Sequence, residues 1–110
     1  MLAAGCGDTG KVPAIDTSRL DAIAQQTVLE RVNDIKAHRN SGKAWGELGI
    51  VLRAFDFPAE ARDCFRKAAW LDPKNPRWPY FESLLLTSDN PAEAIAKLRR
   101  AVQLCGDFRT

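Results

Sequence analysis

Three cysteines and a single histidine carry the most reactive side chains of this 110-residue chain, and their spacing decides what chemistry they support. Cys6, Cys64 and Cys105 lie far apart, none belongs to a C-x-x-C pair, and His38 has no cysteine nearby. Structural zinc, haem attachment and thioredoxin-type redox chemistry all need such spacings, so the sequence predicts no metal and no cofactor. His38 falls near a predicted helix end, which suits a solvated or capping role better than that of a general base. The full phosphate-cradling motif G-x-x-x-x-G-K-[ST] is absent, because Val12 follows Gly10-Lys11 where the motif needs Ser or Thr. An active site needs a nucleophile, a base and an electrostatic stabiliser that converge, and no such set is visible. The sequence therefore reads as that of a non-enzyme.

The basic residues are the next candidates. Arg62, Arg66 and Lys67, then Lys97, Arg99 and Arg100, suggest an anion-binding stripe when taken alone. Acidic Glu60, Asp63 and Glu93 lie among them, as on a solvated outer face. No aromatic residues interleave them as single-strand binders require, and a net charge of +2 is too small to argue for nucleic acid or a membrane surface. No nucleic-acid partner is expected. With 45% hydrophobic and 27% charged residues the chain has the composition of one folded domain, and no run of about 18 apolar residues could span a bilayer.

These side chains must be positioned by helices. Leu20, Ile23, Ala24, Thr27, Val28, Val32 and Ile35 recur at helical spacing, which predicts an amphipathic helix over 17–37, with Ser18 and Asp21 as a capping box. Asn40-Ser41-Gly42 breaks it. Helices follow over 43–55 and 58–71, the second opened by Pro58 at its first position and closed by Asp72-Pro73-Lys74-Asn75-Pro76. Another pair is predicted over 78–88 and 91–104, with Asn90 as cap, Pro91 as first residue and Gly106 ending the helix. The result is five helices and no strand.

The two pairs share one pattern. Trp45, Leu48, Leu52, Ala61, Phe65 and Ala68 return at a single fixed interval as Trp78, Phe81, Leu85, Ala94, Leu98 and Ala101, and the string PAEA returns at 58–61 and 91–94. An interval of this length marks stacked helical repeats. In the second copy Glu82 replaces Gly49, with small Ser83 one residue later, and Pro79 enters the first turn. The register that starts at Trp78 is preferred, the alternative being a one-residue deletion between the two helices. In the repeat frame Cys64 and Cys105 are small packing residues, eight positions apart along roughly parallel helices. That spacing is about 12 Å, too far for a disulfide.

Trp45-x2-Leu48-Gly49-x2-Leu52, followed by Ala61-x3-Phe65 and Pro73, resembles the tetratricopeptide repeat throughout, with leucine in place of tyrosine. The resemblance implies an all-α, helix-turn-helix solenoid of about five antiparallel helices. It divides the chain into a start and linker (1–16), an N-terminal helix or half-repeat (17–40), a first repeat (41–74), a degenerate second repeat (75–107) and a tail (108–110). Small Gly49 and Ala61 would let the paired helices approach, with Trp45, Leu52 and Phe65 filling the space around them. The C-terminal stripe of Ile95, Leu98, Val102 and Leu104 lacks a polar capping helix. The chain is therefore expected either to continue beyond Thr110 or to pack on another chain there, with self-association one possibility.

In tetratricopeptide proteins the first helices line a concave groove that holds a peptide or protein partner. Carried onto this sequence, the groove comprises Lys43, Glu47, Ile50 and Arg53, then Tyr80, Ser83 and Thr87, with Gly46, Ala54, Pro79 and Leu86 beside them. Lys43 and Arg53 suit a carboxylate or backbone carbonyls, and Tyr80 offers a rigid amphipathic contact. The lysine- and asparagine-rich clamp of co-chaperones is not reproduced at Gly46, Glu47, Ile50 and Tyr80, so a chaperone tail is not the expected partner.

The start of the chain, Leu2-Ala3-Ala4-Gly5-Cys6, resembles the end of a bacterial lipoprotein signal, in which the cysteine becomes lipid-bearing. The match covers five residues, departs at Ala3, and lacks a charged segment and a long apolar one before it. Two readings stand. Cys6 is lipidated and the protein is a membrane-anchored periplasmic scaffold, or Cys6 is an ordinary cysteine and the protein is a cytoplasmic adaptor. An N-terminal assembly module of a longer enzyme or transport component belongs with the second.

Overall fold

The computed structural model describes residues 11–86 and 90–107. They form α1 (Ala22–Ala37), α2 (Gly42–Ala54), α3 (Pro58–Leu71), α4 (Arg77–Leu86) and α5 (Pro91–Asp107), with no strand among the described residues. The all-helical expectation holds. Cys6 and Thr87 lie outside the described residues.

Local chemistry fixes the ends. α1 starts later than the periodicity predicts, because two carboxylates compete for its first turn. Asp16 accepts the Ser18 N–H at 3.1 Å, which ties 16–18 into a turn, and Asp21 accepts the Ala24 N–H at 2.8 Å as the true N-cap. The Ser18 capping box is not formed. At the other end His38 is the C-cap, its backbone N–H bonding to the Asp34 and Ile35 carbonyls. Ser41 caps α2 through the Ala44 N–H at 3.1 Å. Pro58 opens α3, where its missing N–H costs nothing, with Glu60 in the favourable first turn. Asn90 caps α5 by accepting the Glu93 N–H at 3.2 Å and donating to the Glu93 carboxylate. Gly106 does not end α5, which runs on through Asp107.

α2 packs most extensively on α3 and α4 on α5, so the molecule is two helical hairpins joined through α3 and α4, with α1 against α2. The core centres on Trp45, Leu48, Leu52, Ala61, Cys64, Phe65, Ala68 and Trp78, with Val28 and Ile35 of α1 added from one side. Ile23, expected on the buried stripe of α1, faces solvent. Phe65 stacks on Phe81 at 5.0 Å and 7° and on Trp78 at 6.3 Å and 24°. Each such pair adds about 0.5–1.5 kcal/mol beyond the area buried. Two glycines on α2 make this possible. A Cβ on Gly49 would stand 2.8 Å from the Phe65 ring, and one on Gly46 would fall inside the Trp78 indole.

The second hairpin departs from the predicted register. In α2 the buried positions include Ala44, Trp45, Leu48, Gly49 and Leu52. In α4 they are Trp78, Pro79, Glu82, Ser83 and Leu86, the same spacing displaced one position beyond the interval from Trp45 to Trp78. Phe81 and Leu85, the counterparts expected from that interval, are only half-buried. In α5, Ala94 and Ala101 remain buried at the predicted interval from Ala61 and Ala68. The missing residue thus falls between α4 and α5. Ser83, not Glu82, takes the place of Gly49.

Candidate functional site

The first helix of each hairpin, α2 and α4, carries the residues expected to face a partner, and the structure divides them. Lys43 is exposed and Glu47 half-exposed, at a crevice of about 270 Å³ that also includes Arg31, Asp34, His38 and Ser41. There Arg31 lies 3.1 Å from Asp34 and 3.8 Å from Glu47, so Glu47 is an ionic link between α1 and α2. Ile50 is half-buried and packs on the core, and Arg53 is exposed in the last turn of α2. Tyr80 is exposed on α4.

Ser83 is not displayed. It is buried and its hydroxyl donates to the Tyr80 carbonyl at 2.6 Å. Pro79 and Leu86 are buried as well, as is Gly46 beneath Trp78. The corrections on α4 share one cause, its one-residue shift. The same shift brings forward two residues that the sequence reading missed. Leu84 stands where Ile50 stands in α2, and Arg77 where Lys43 stands. Leu84 is exposed. Arg77 is exposed and its guanidinium lies 4.6 Å from the Trp78 ring centre. The signal was present in Glu82-Ser83: small serine marks the glycine position.

Tyr80, Ser83 and Leu84 of α4 face Pro91, Ala94, Ile95 and Leu98 of α5 across a cleft of about 360 Å³. A larger cleft, about 520 Å³, lies between the segment 11–17 and α1 and mixes Val12, Ile15, Val28 and Leu29 with Lys11, Lys36 and Arg39.

Several charged groups elsewhere are engaged within the chain. Glu82 is buried, and the Lys97 ammonium sits 3.4 Å from its carboxylate. Burial raises the Glu82 pKa, and the Lys97 charge offsets only part of that. Arg66 pairs with Asp63 at 3.5 Å, and Lys67 lies over the Trp70 ring at 4.9 Å. Asp72, at the end of α3, accepts from Asn75 Nδ2 at 3.1 Å and from Trp78 Nε1 at 3.4 Å, which seats the indole that covers Gly46.

Cys64 is buried and its thiol is pushed up to about 12, first by burial and then by Asp63 and Glu60. A thiol held neutral in this way is a packing group. Cys105 is exposed, contrary to the packing role expected of it, and neither cysteine is in a disulfide. Among the described residues no group of three or more His, Cys, Asp or Glu side chains could hold a metal ion, and no helix is long and apolar enough to cross a membrane.

No protein-family model matches the sequence, and no curated protein is significantly similar to it.

Proposed function

We propose that this chain is a tandem helical-hairpin protein of the tetratricopeptide type, which holds a peptide or protein partner on the face made by α2 and α4 and performs no catalysis. The observation that carries the reading is the burial pattern of α2, which returns in α4, while Ala61 and Ala68 of α3 are matched by Ala94 and Ala101 of α5. Hairpins that repeat in this way stack side by side, and stacking sets their first helices next to one another as an extended surface. On that surface Lys43, Arg53 and Arg77 supply positive charge and Tyr80 and Leu84 supply apolar contact. An extended segment bearing carboxylates fits this chemistry, the cations pairing with its charges or its backbone carbonyls.

The test is a photo-crosslinking residue placed at Lys43 in the protein made from its own gene, with a second at Arg100 on the outer side of α5. One discrete adduct from Lys43 and none from Arg100 is the expected result. Equal labelling from both positions would remove the face assignment.

The Leu2–Cys6 string supports a lipid-anchored scaffold in the bacterial envelope, and a cytoplasmic adaptor or assembly module is the alternative. Intact mass separates them. A mature chain that begins at Cys6 with added acyl mass confines the partner to exported proteins, and an unmodified Met1 places the module in the cytoplasm.

A further inference from the structure

α3 and α5 are counterparts in the repeat, and what differs between them is what covers them. On α3 Phe65 is fully buried by Trp78 and Phe81 of α4, and Arg62 and Ala69 in the same sector are half-buried. On α5 the same sector is Ile95, Leu98 and Val102, and these are 52%, 44% and 65% exposed. The open sector is thus more apolar than the closed one. Isoleucine stands for arginine and valine for alanine. Large aliphatic side chains grouped on one helix face are the mark of a surface that is covered when the protein works.

The chain also shows what kind of object closes such a sector. Over α2 and α3 the cover is a helix, joined by a short turn and so running back along α3, with Trp78 against Gly46 and Phe81 on Phe65. The cleft between α4 and α5 is the corresponding seat, with Ser83 for Gly49 and Leu98 for Phe65. One change alters its taste. Tyr80 replaces Gly46, so the space that received an indole already holds a ring. The occupant must be an antiparallel helix that presents aliphatic side chains.

Among the described residues one helix face meets this requirement, and it is α5 itself. Ile95, Leu98, Val102 and Cys105 are spaced three, four and three residues apart, the spacing of a two-helix seam. The other exposed large apolar residues do not make a face: Ile23 and Leu29 are six apart on α1 and point to different sides, and Trp70 stands alone on α3. A two-fold axis across α5 brings the same helix of a second molecule in antiparallel, as the seat demands.

We propose that the chain forms a two-fold dimer through α5, with Leu98 opposite the partner's Val102, Ile95 opposite the partner's Cys105, and Tyr80 and Leu84 closing the edge. Arg99 lies on the rim close to the axis, so two like charges approach there and added salt tightens the dimer. The dimer takes up Tyr80 and Leu84 at the α4 edge of the partner face, leaves Lys43, Glu47 and Arg53 on α2 open, and does not depend on a partner there. The two readings fail separately, one in the mass of the pure protein and the other in crosslinking from Lys43.

Sedimentation equilibrium of the pure protein over a wide concentration range reads the association. A monomer–dimer equilibrium that strengthens with salt is expected, and a monomer at every concentration overturns the proposal. Val102→Glu, at the most exposed of the three aliphatic positions of the stripe, should give a monomer with the helical circular dichroism of the wild type. A dimer that survives this change lies elsewhere and overturns the α5 interface. The register has its own test in a Cys6→Ser background. Ile95→Cys should form an intermolecular disulfide with the partner's Cys105 on mild oxidation, whereas the parent should not join Cys105 to the partner's Cys105. Residues 95 and 105 of one chain are about 15 Å apart along the helix and cannot bridge internally. No covalent dimer from Ile95→Cys, or equal crosslinking of the parent, overturns the pairing.

Discussion

The indole of Trp78 lies against the Cα of Gly46, in space that a single methyl group would close. Two hairpins meet at this contact, and Phe65 with its two stacked rings continues it into the core.

Substitutions along the glycines should therefore separate packing from helix propensity. Gly49→Ala sets a Cβ 2.8 Å from a buried ring and should destabilise the fold by about 1–3 kcal/mol, with Gly46→Ala at the upper end. Gly106→Ala meets nothing within 4 Å and should gain up to about 1 kcal/mol from propensity alone. Urea denaturation of the three variants checks the order. A stabilised Gly46→Ala protein would mean that the two hairpins do not meet as described.

Asp72→Ala removes the acceptor for both Asn75 Nδ2 and Trp78 Nε1. A loss of about 1–3 kcal/mol is expected, with the Trp78 indole left without that acceptor. The near-ultraviolet circular dichroism of the tryptophans should fall in parallel. Unchanged tryptophan signals would show that Asp72 does not seat the ring.

Glu82 should make stability depend on pH. Burial raises its folded pKa above the ordinary glutamate value, so the folded protein holds this proton more tightly than the unfolded chain does. The carboxyl costs least below the ordinary glutamate range, and stability falls as pH rises from there through the raised value. Glu82→Gln has no such titration. From about pH 4 upward the stability difference should move steadily in favour of the variant. A difference that stays flat with pH would show that Lys97 fully compensates the burial.

The thiols should react at very different rates. In a Cys6→Ser background, at concentrations low enough to give monomer, one thiol, Cys105, should be modified promptly by an aromatic disulfide reagent at neutral pH. Cys64, buried with its pKa pushed up to about 12, should react only on unfolding. Two fast thiols in the native protein would contradict the burial of α3.

Arg53→Glu tests the proposed partner face. The side chain is exposed, so the melting temperature should change by no more than about 2 °C while partner capture is lost. Capture that survives would move the site away from α2.

Most helix boundaries were legible because they depend on residues next to them. Pro58 and the Asp72–Pro76 turn bound α3 where the sequence places its ends, and Asn90-Pro91 opens α5. The start of α1 is harder to read because Asp16, Ser18 and Asp21 offer rival caps within a short stretch, and Asp16 draws Ser18 into a turn while Asp21 caps the helix. α4 was misplaced by one residue because its tryptophan repeats Trp45 in sequence but not in position. Trp78 reaches across to Gly46 from the other hairpin, and the helix turns so that Ser83 meets α5. That choice rests on contacts between residues distant in the chain, which periodicity does not weigh. The Glu82–Lys97 pair was hidden for the same reason. The surface suffered most, since a shift of one residue exchanges Ser83 and Leu86 for Leu84.

The ring of Tyr80 also sets a rule for anyone building longer arrays from this chain. A hairpin copied from residues 77–107 and appended after α5 would bring its own tryptophan to a place already filled. Duplication alone would thus give a clash instead of a longer rod. Opening that place with Tyr80→Gly, or replacing the incoming tryptophan with alanine, is the smallest edit that would let the pattern propagate.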